Sequence, residues 1–117
     1  MSCGPGDVIR IFDVLTKPQK PKLHVCVCAD DQMFLRINSE DLWGVAYLAT
    51  KKMWPFLHHD SYVELNSLVR NSSEYIQGAT LEGALNKAAR LELVAACKAS
   101  KVLPERHKLI VTDRLSF

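Results

Sequence analysis

Residues 58–60 read His-His-Asp, the most conspicuous polar cluster in the chain. Histidine titrates near neutrality and serves as acid or base in phosphodiester transfer. A neighbouring carboxylate orients an imidazole or raises its pKa. His59 helped by Asp60 is therefore the candidate acid/base, with His58 a substrate contact. The plainer reading is a loop with two exposed histidines leading into a strand. Cations form the second set. Lys17, Lys20 and Lys22 fall within six residues that contain no acid, and Arg36 follows in a short apolar run. Lys20, Lys22 and Arg36 are the best phosphate contacts. Trp43, Tyr47, Trp54 and Tyr62 offer rings on which bases could stack, although core or dimer packing suits the tryptophans better.

His24, Cys26 and Cys28 alternate with Leu23, Val25 and Val27. On an extended strand, positions i and i+2 lie about 7 Å apart, wider than the donors of a tetrahedral zinc site. The expectation is buried structural thiols, Cys97 on its helix included, and neither a metal nor a cofactor. No Gly-rich phosphate loop, dinucleotide fingerprint or nucleophile elbow is present.

The elements that must position these groups follow from apolar spacing. Residues 7–14 are too densely apolar for strict alternation, so they read as a strand covered on both faces. The run TKPQKP cannot continue it, because its two prolines lack ladder donors and restrict their predecessors. Residues 22–29 make a second strand with no clearly polar face, hence a central one. After the Asp30-Asp31-Gln32 turn, residues 33–37 form a third strand ending at Asn38-Ser39.

Residues 40–56 read as an irregular connection with a helical turn, anchored by Trp43 and Trp54. Residues 61–66 are a fourth strand and Tyr75–Gln77 a short one. Gly83 opposes one long helix from Thr80, at a cost of about 1 kcal/mol. The preferred division is a strand over residues 81–85, then Asn86 capping a helix to Ser100. That helix puts Leu91, Val94, Cys97 and Lys101 on one stripe, with Arg90, Leu93 and Ala96 beside it. Pro104 opens a last helix at its first position, with a closing strand at residues 108–112 as the alternative.

A chain of 117 residues is the length of one domain, able to build a core without disulfides. The whole span 1–117 is read as one β-rich α+β domain, its strands within about residues 6–85 and its helical segment at about 87–115. Several short antiparallel strands followed by helix suggest a small, partly open barrel. The net charge of +2 is too small to imply a nucleic-acid partner by itself. No apolar run approaches the ~20 residues of a membrane span, and the N-terminus lacks the pattern of a secretory signal. A cytoplasmic protein with reduced thiols is expected.

Three stretches resemble the PemK/MazF family of toxin endoribonucleases, small SH3-like barrels with a C-terminal helix. GDVIRIFDV is similar to the family's Gly-Asp-hydrophobic first strand. KPKLHVCVC resembles the segment in which a basic residue and proline precede the second strand. GATLEGALNKAARLELVAACKA resembles the passage from Gly-Ala-Thr through a second glycine into the last helix. The resemblance implies a homodimer that cleaves single-stranded RNA without a metal and is restrained by a small antitoxin protein. It places Lys20 where the family carries an arginine before proline, and Ser39 where it carries a hydroxyl after the third strand. Lysine keeps the charge but not the bidentate fork.

The leading expectation is thus a metal-independent endoribonuclease, with Lys20 and Lys22 as phosphate cations, His59 and Asp60 as acid/base, and Ser39 on the substrate. Its rivals are a barrel without catalysis that binds RNA or protein, and a subunit whose residues 42–56 dock on a partner.

Overall fold

The computed structural model describes residues 3–13, 18–42 and 44–116. Lys17, Trp43 and the first part of the predicted proline loop lie outside them. The described elements run β1 (Asp7–Asp13), β2 (Lys20–Cys28), β3 (Met33–Asn38), β4 (Ala46–Ala49), β5 (Ser61–Glu64), β6 (Val69–Arg70), α1 (Ser73–Gln77), β7 (Thr80–Ala84), α2 (Lys87–Ala99) and α3 (Glu105–Leu115). It is a mostly antiparallel β structure with C-terminal helices. None of the described helices is long and apolar enough to cross a membrane.

The strand order is β4-β5-β3-β2-β1-β7, which puts β2 at the centre beside β3, as the two-sided apolar pattern of β2 demands. The free edge of β3 is shared, with β6 pairing Met33 and Phe34 and β5 pairing Ile37 and Asn38. Alternation along β2 then feeds two cores. Val25 and Val27 join Val8, Leu35, Trp54, Leu93, Cys97 and Val111 under α2 and α3. Cys26 joins Ile9, Ile11 and Phe34 on the opposite side, where Tyr75 and Ile76 of α1 close over them. Cys26, Cys28 and Cys97 are buried, and no described cysteine is in a disulfide. Burial pushes the Cys97 thiol up to about 12, so it packs as a small apolar group.

The break before α2 is a steric and capping event. Gly83 faces the ring of Phe56, and a methyl added there would overlap it. Three residues on, the Asn86 side chain accepts from the Ala89 N–H at 2.8 Å, which satisfies one orphan donor of the first turn. Overpacking sets the size of the corresponding prediction. Gly83→Ala is expected to lower the unfolding free energy from urea titration by about 1–3 kcal/mol, with much of it recovered in Gly83→Ala/Phe56→Leu. Equal losses in the single and double variants would contradict the clash.

Four expectations need correction. Residues 40–56 are not wholly irregular, since Ala46–Ala49 forms an edge strand against β5, in register from Ala46–Glu64 to Ala49–Ser61. Tyr75–Gln77 is helix rather than strand, because Tyr75 and Ile76 turn inward on the second core. The buried seam of α2 is Ala89, Leu93, Val94 and Cys97, while Leu91 is 46% exposed, so the helix is rotated toward Leu93. Pro104 stands one position before α3, as its N-cap. Residues 108–112 are helical. His107 on that helix is buried, and its Nδ1 accepts from the Leu68 N–H at 3.1 Å, holding the β5–β6 loop down.

Candidate functional site

The proline-bearing start of β2, the end of β3 and the loop before β5 converge on one depression of about 180 Å³. Its lining includes Lys20, Lys22, Ser39, His58 and His59, together with Arg10, Asn38 and Ser61. Five residues singled out in the sequence thus meet in one place. Lys20, Ser39, His58 and His59 are exposed, and Lys22 is half-buried. Arg10 was concealed by its setting in the apolar run of β1. Its side chain is 35% exposed and lies 3.7 Å from the Glu82 carboxylate, so the depression also carries a guanidinium.

His59 is held through the main chain. Its Nδ1 lies 2.8 Å from the carbonyl oxygen of Asp60, and a carbonyl only accepts, so Nδ1 carries the proton. In the neutral ring Nε2 then holds the lone pair, as a general base requires. The buried Ser61 hydroxyl donates to the His59 carbonyl at 3.1 Å and further fixes the loop. The Asp60 carboxylate does not orient this imidazole. Its Oδ1 accepts from the Lys51 N–H at 2.8 Å, tying the loop back to the end of β4. A backbone carbonyl orients His59 in place of the carboxylate expected there.

Arg36 also departs from expectation. It lies outside the depression, engaged with two carboxylates. Its Nε and Nη2 donate to Asp13 Oδ2 at 2.9 and 2.6 Å, and its Nη1 reaches Glu64 Oε2 at 3.3 Å. Asn38 Nδ2 donates to Glu64 Oε1 at 2.8 Å, and Lys22 Nζ donates to Asn38 Oδ1. Asp13 and Glu64 are almost wholly buried, at 4% and 5% exposure, so this face of β2 and β3 is charge-compensated rather than basic. Burial, then the Arg36 charge, lowers the Lys22 pKa from its ordinary value, against the pull of Asp13 and Glu64.

His24 borders the same network. Its Nδ1 lies 3.1 Å from the Lys22 carbonyl and therefore carries the proton, and its ring meets Phe34 edge-on at 6.2 Å. Burial drives its pKa down to about 4, so it is neutral at pH 7. The aromatic candidates divide. Trp54 is fully buried, and Tyr47 leans on it at 6.3 Å while donating to Glu92 at 3.2 Å, so both serve packing. Tyr62 lies on β5 and does not line the depression. Among the described residues, no group of three His, Cys, Asp or Glu side chains could hold a metal ion.

The depression gathers groups of the kind that phosphodiester transfer uses. It offers cations for a phosphate, an exposed imidazole with a defined tautomer and a hydroxyl at the rim. No protein-family model matches the chain, and no curated protein matches it significantly.

Proposed function

We propose that the protein is an endoribonuclease of PemK/MazF type, built on an SH3-like barrel and cleaving single-stranded RNA without a metal. The observation that supports this most is the meeting of Lys20, Lys22, Ser39, His58 and His59 around one depression. In this reading His59 Nε2 takes the proton of a ribose 2′-hydroxyl, and the freed oxygen attacks the adjacent phosphorus. Lys20 and Arg10 balance the charge of the phosphorane. The bond to the 5′-oxygen breaks, leaving a 2′,3′-cyclic phosphate. Lys22 returns a proton to the leaving oxygen, a role suited to an ammonium whose pKa burial has lowered. Ser39 and His58 hold the substrate. Arg10 supplies the guanidinium fork that Lys20 lacks. A homodimer and a small antitoxin protein belong to the same reading.

The second reading is a barrel that binds RNA without cutting it. It draws on the Asp60 carboxylate being committed to Lys51 rather than to His59, and on lysine at position 20.

Mixed single-stranded RNA incubated with the protein in the presence of a chelator separates the two. The enzyme yields fragments ending in 2′,3′-cyclic phosphate, and Lys20→Ala or His59→Ala slows cleavage by about 100-fold or more. Intact RNA with salt-sensitive binding assigns the module instead. Intact RNA without binding overturns both.

A further inference from the structure

A second cavity, of about 280 Å³, opens between the end of β1, the middle of β2 and β3, and residues 69–75. None of the groups assigned to RNA cleavage lines it. A chain of polar contacts nevertheless ties its lining to that of the first depression: Lys22 bonds Asn38, Asn38 bonds Glu64, and Glu64 pairs with Arg36. Asp13 and Arg36 form its charged floor and are paired with each other. The groups that face a ligand are different ones.

Phe12 and Tyr75 supply an apolar platform, their ring centroids 5.8 Å apart and tilted by 42°. Phe12 is 37% exposed, which is costly for a phenyl ring unless something covers it. Asn71 supplies a donor. Its Nδ2 is buried and has no hydrogen-bond partner among the described residues, an unfavourable state for an amide donor that a ligand's acceptor would relieve. His24 supplies an acceptor, since its Nδ1 proton is committed to the Lys22 carbonyl and Nε2 keeps the lone pair. Arg70 stands exposed at the margin.

A flat ring system, an edge bearing one acceptor and one donor, and a nearby anion together describe a nucleotide. We infer that this cavity is a nucleobase subsite, in which a base stacks on Phe12 and Tyr75 and is read at its edge by Asn71 and His24. Arg70 meets the attached phosphate. The inference rests on the ribonuclease reading for its substrate class, and extends it by assigning where sequence preference arises. An extended strand of RNA then runs from this subsite to the depression that holds Lys20 and His59.

The test is an amide-shift titration of the labelled full chain with each of the four 5′-mononucleotides, and with ribose 5-phosphate as control. Saturable shifts centred on Phe12, Asn71, Ser72 and Tyr75, for at least one base and not for ribose 5-phosphate, are expected. Tyr75→Leu keeps an apolar side chain over the core and is expected to weaken binding about tenfold or more, in line with base–aromatic stacking. Asn71→Asp replaces the donor by an acceptor and is expected to change which base binds best. Shifts centred only on Lys20, Lys22 and Ser39, or shifts that ribose 5-phosphate reproduces, overturn the subsite. So does a Tyr75→Leu and Asn71→Asp pair that binds all four nucleotides as the parent does. Base binding without RNA cleavage removes the enzyme and leaves the subsite standing. Cleavage without base binding does the reverse.

Discussion

Arg36→Met is expected to destabilise the protein by about 3–5 kcal/mol, the usual result of removing one partner from a buried ion pair. Asp13 and Glu64 are both almost wholly inside and both lose the guanidinium that neutralises them. Single domains commonly hold only about 5–15 kcal/mol in total, so a melting point lower by more than about 10 °C is expected. Arg36→Lys keeps the charge but cannot donate through both Nε and Nη2 to Asp13, and its loss should fall between that of Met and the parent. Urea midpoints for the two variants check this ordering. A methionine variant within about 0.5 kcal/mol of the parent, the range of an ordinary surface substitution, would mean that these carboxylates reach water easily. The outcome also separates a structural role for Arg36 from the phosphate contact expected of it. A folded Arg36→Met that fails only in RNA binding would restore the latter.

Acid should weaken the protein through His24. An unfolded chain takes up the proton at a pKa near 6.5, whereas the folded one resists until about 4. Above pH 6.5 both states are neutral at this site and stability is at its plateau. As pH falls from 6.5 toward 4 the unfolded state alone gains the proton, and stability drops. A gap of that size corresponds to about 3 kcal/mol once complete. His107, whose pKa burial also lowers, acts in the same direction. The charged groups facing His24 are Asp13, Arg36 and Lys22, and of these only Asp13 favours the imidazolium. His24→Gln retains a donor for the Lys22 carbonyl and removes the titration. Its deficit relative to the parent is therefore expected to shrink between about pH 7 and about pH 4.5. A constant deficit across that range would show that His24 takes up its proton in the folded state at an ordinary pH.

What could be read before folding was whatever depends on neighbours. The two-sided pattern of Leu23–Cys28 places β2 at the sheet centre, and Asn86 marks the start of α2, because capping is a local property; that Gly83 is kept small by the distant Phe56 ring could not be read from its neighbours. Lys20 and Lys22 are two residues apart and were bound to fall near each other. What escaped depends on distant pairing. Asp13 and Arg36 are 23 positions apart and Arg36 and Glu64 are 28, so nothing near Arg36 announces that its charge is already used. Arg10 is one cation in an apolar strand and becomes a lining residue only when β1 lies beside β2. The strand Ala46–Ala49 is four residues at a sheet edge, too short for its alternation to register. The contact that Asp60 makes with His59, through its carbonyl and not its carboxylate, escaped for a related reason. Adjacency in the chain says which side chains are near, and the loop decides which way each one turns.

The buried ions of β1, β3 and β5 carry one more consequence, for how the strands find their alignment. Most sheets are aligned by having one greasy face, so that a slip by one residue turns that face to water. β2 offers no such guidance, because Val25 and Val27 are buried on one side and His24 and Cys26 on the other. A slipped β2–β3 pairing would bury almost as much apolar surface as the native one. It would also carry Arg36 to the side occupied by Leu35 and Ile37, away from Asp13 and Glu64 and into hydrocarbon. Misalignment is thus penalised by a stranded charge rather than by exposed oil. A domain in which these three residues are exchanged together for well-packed apolar ones would melt no lower, and would pair its strands less faithfully.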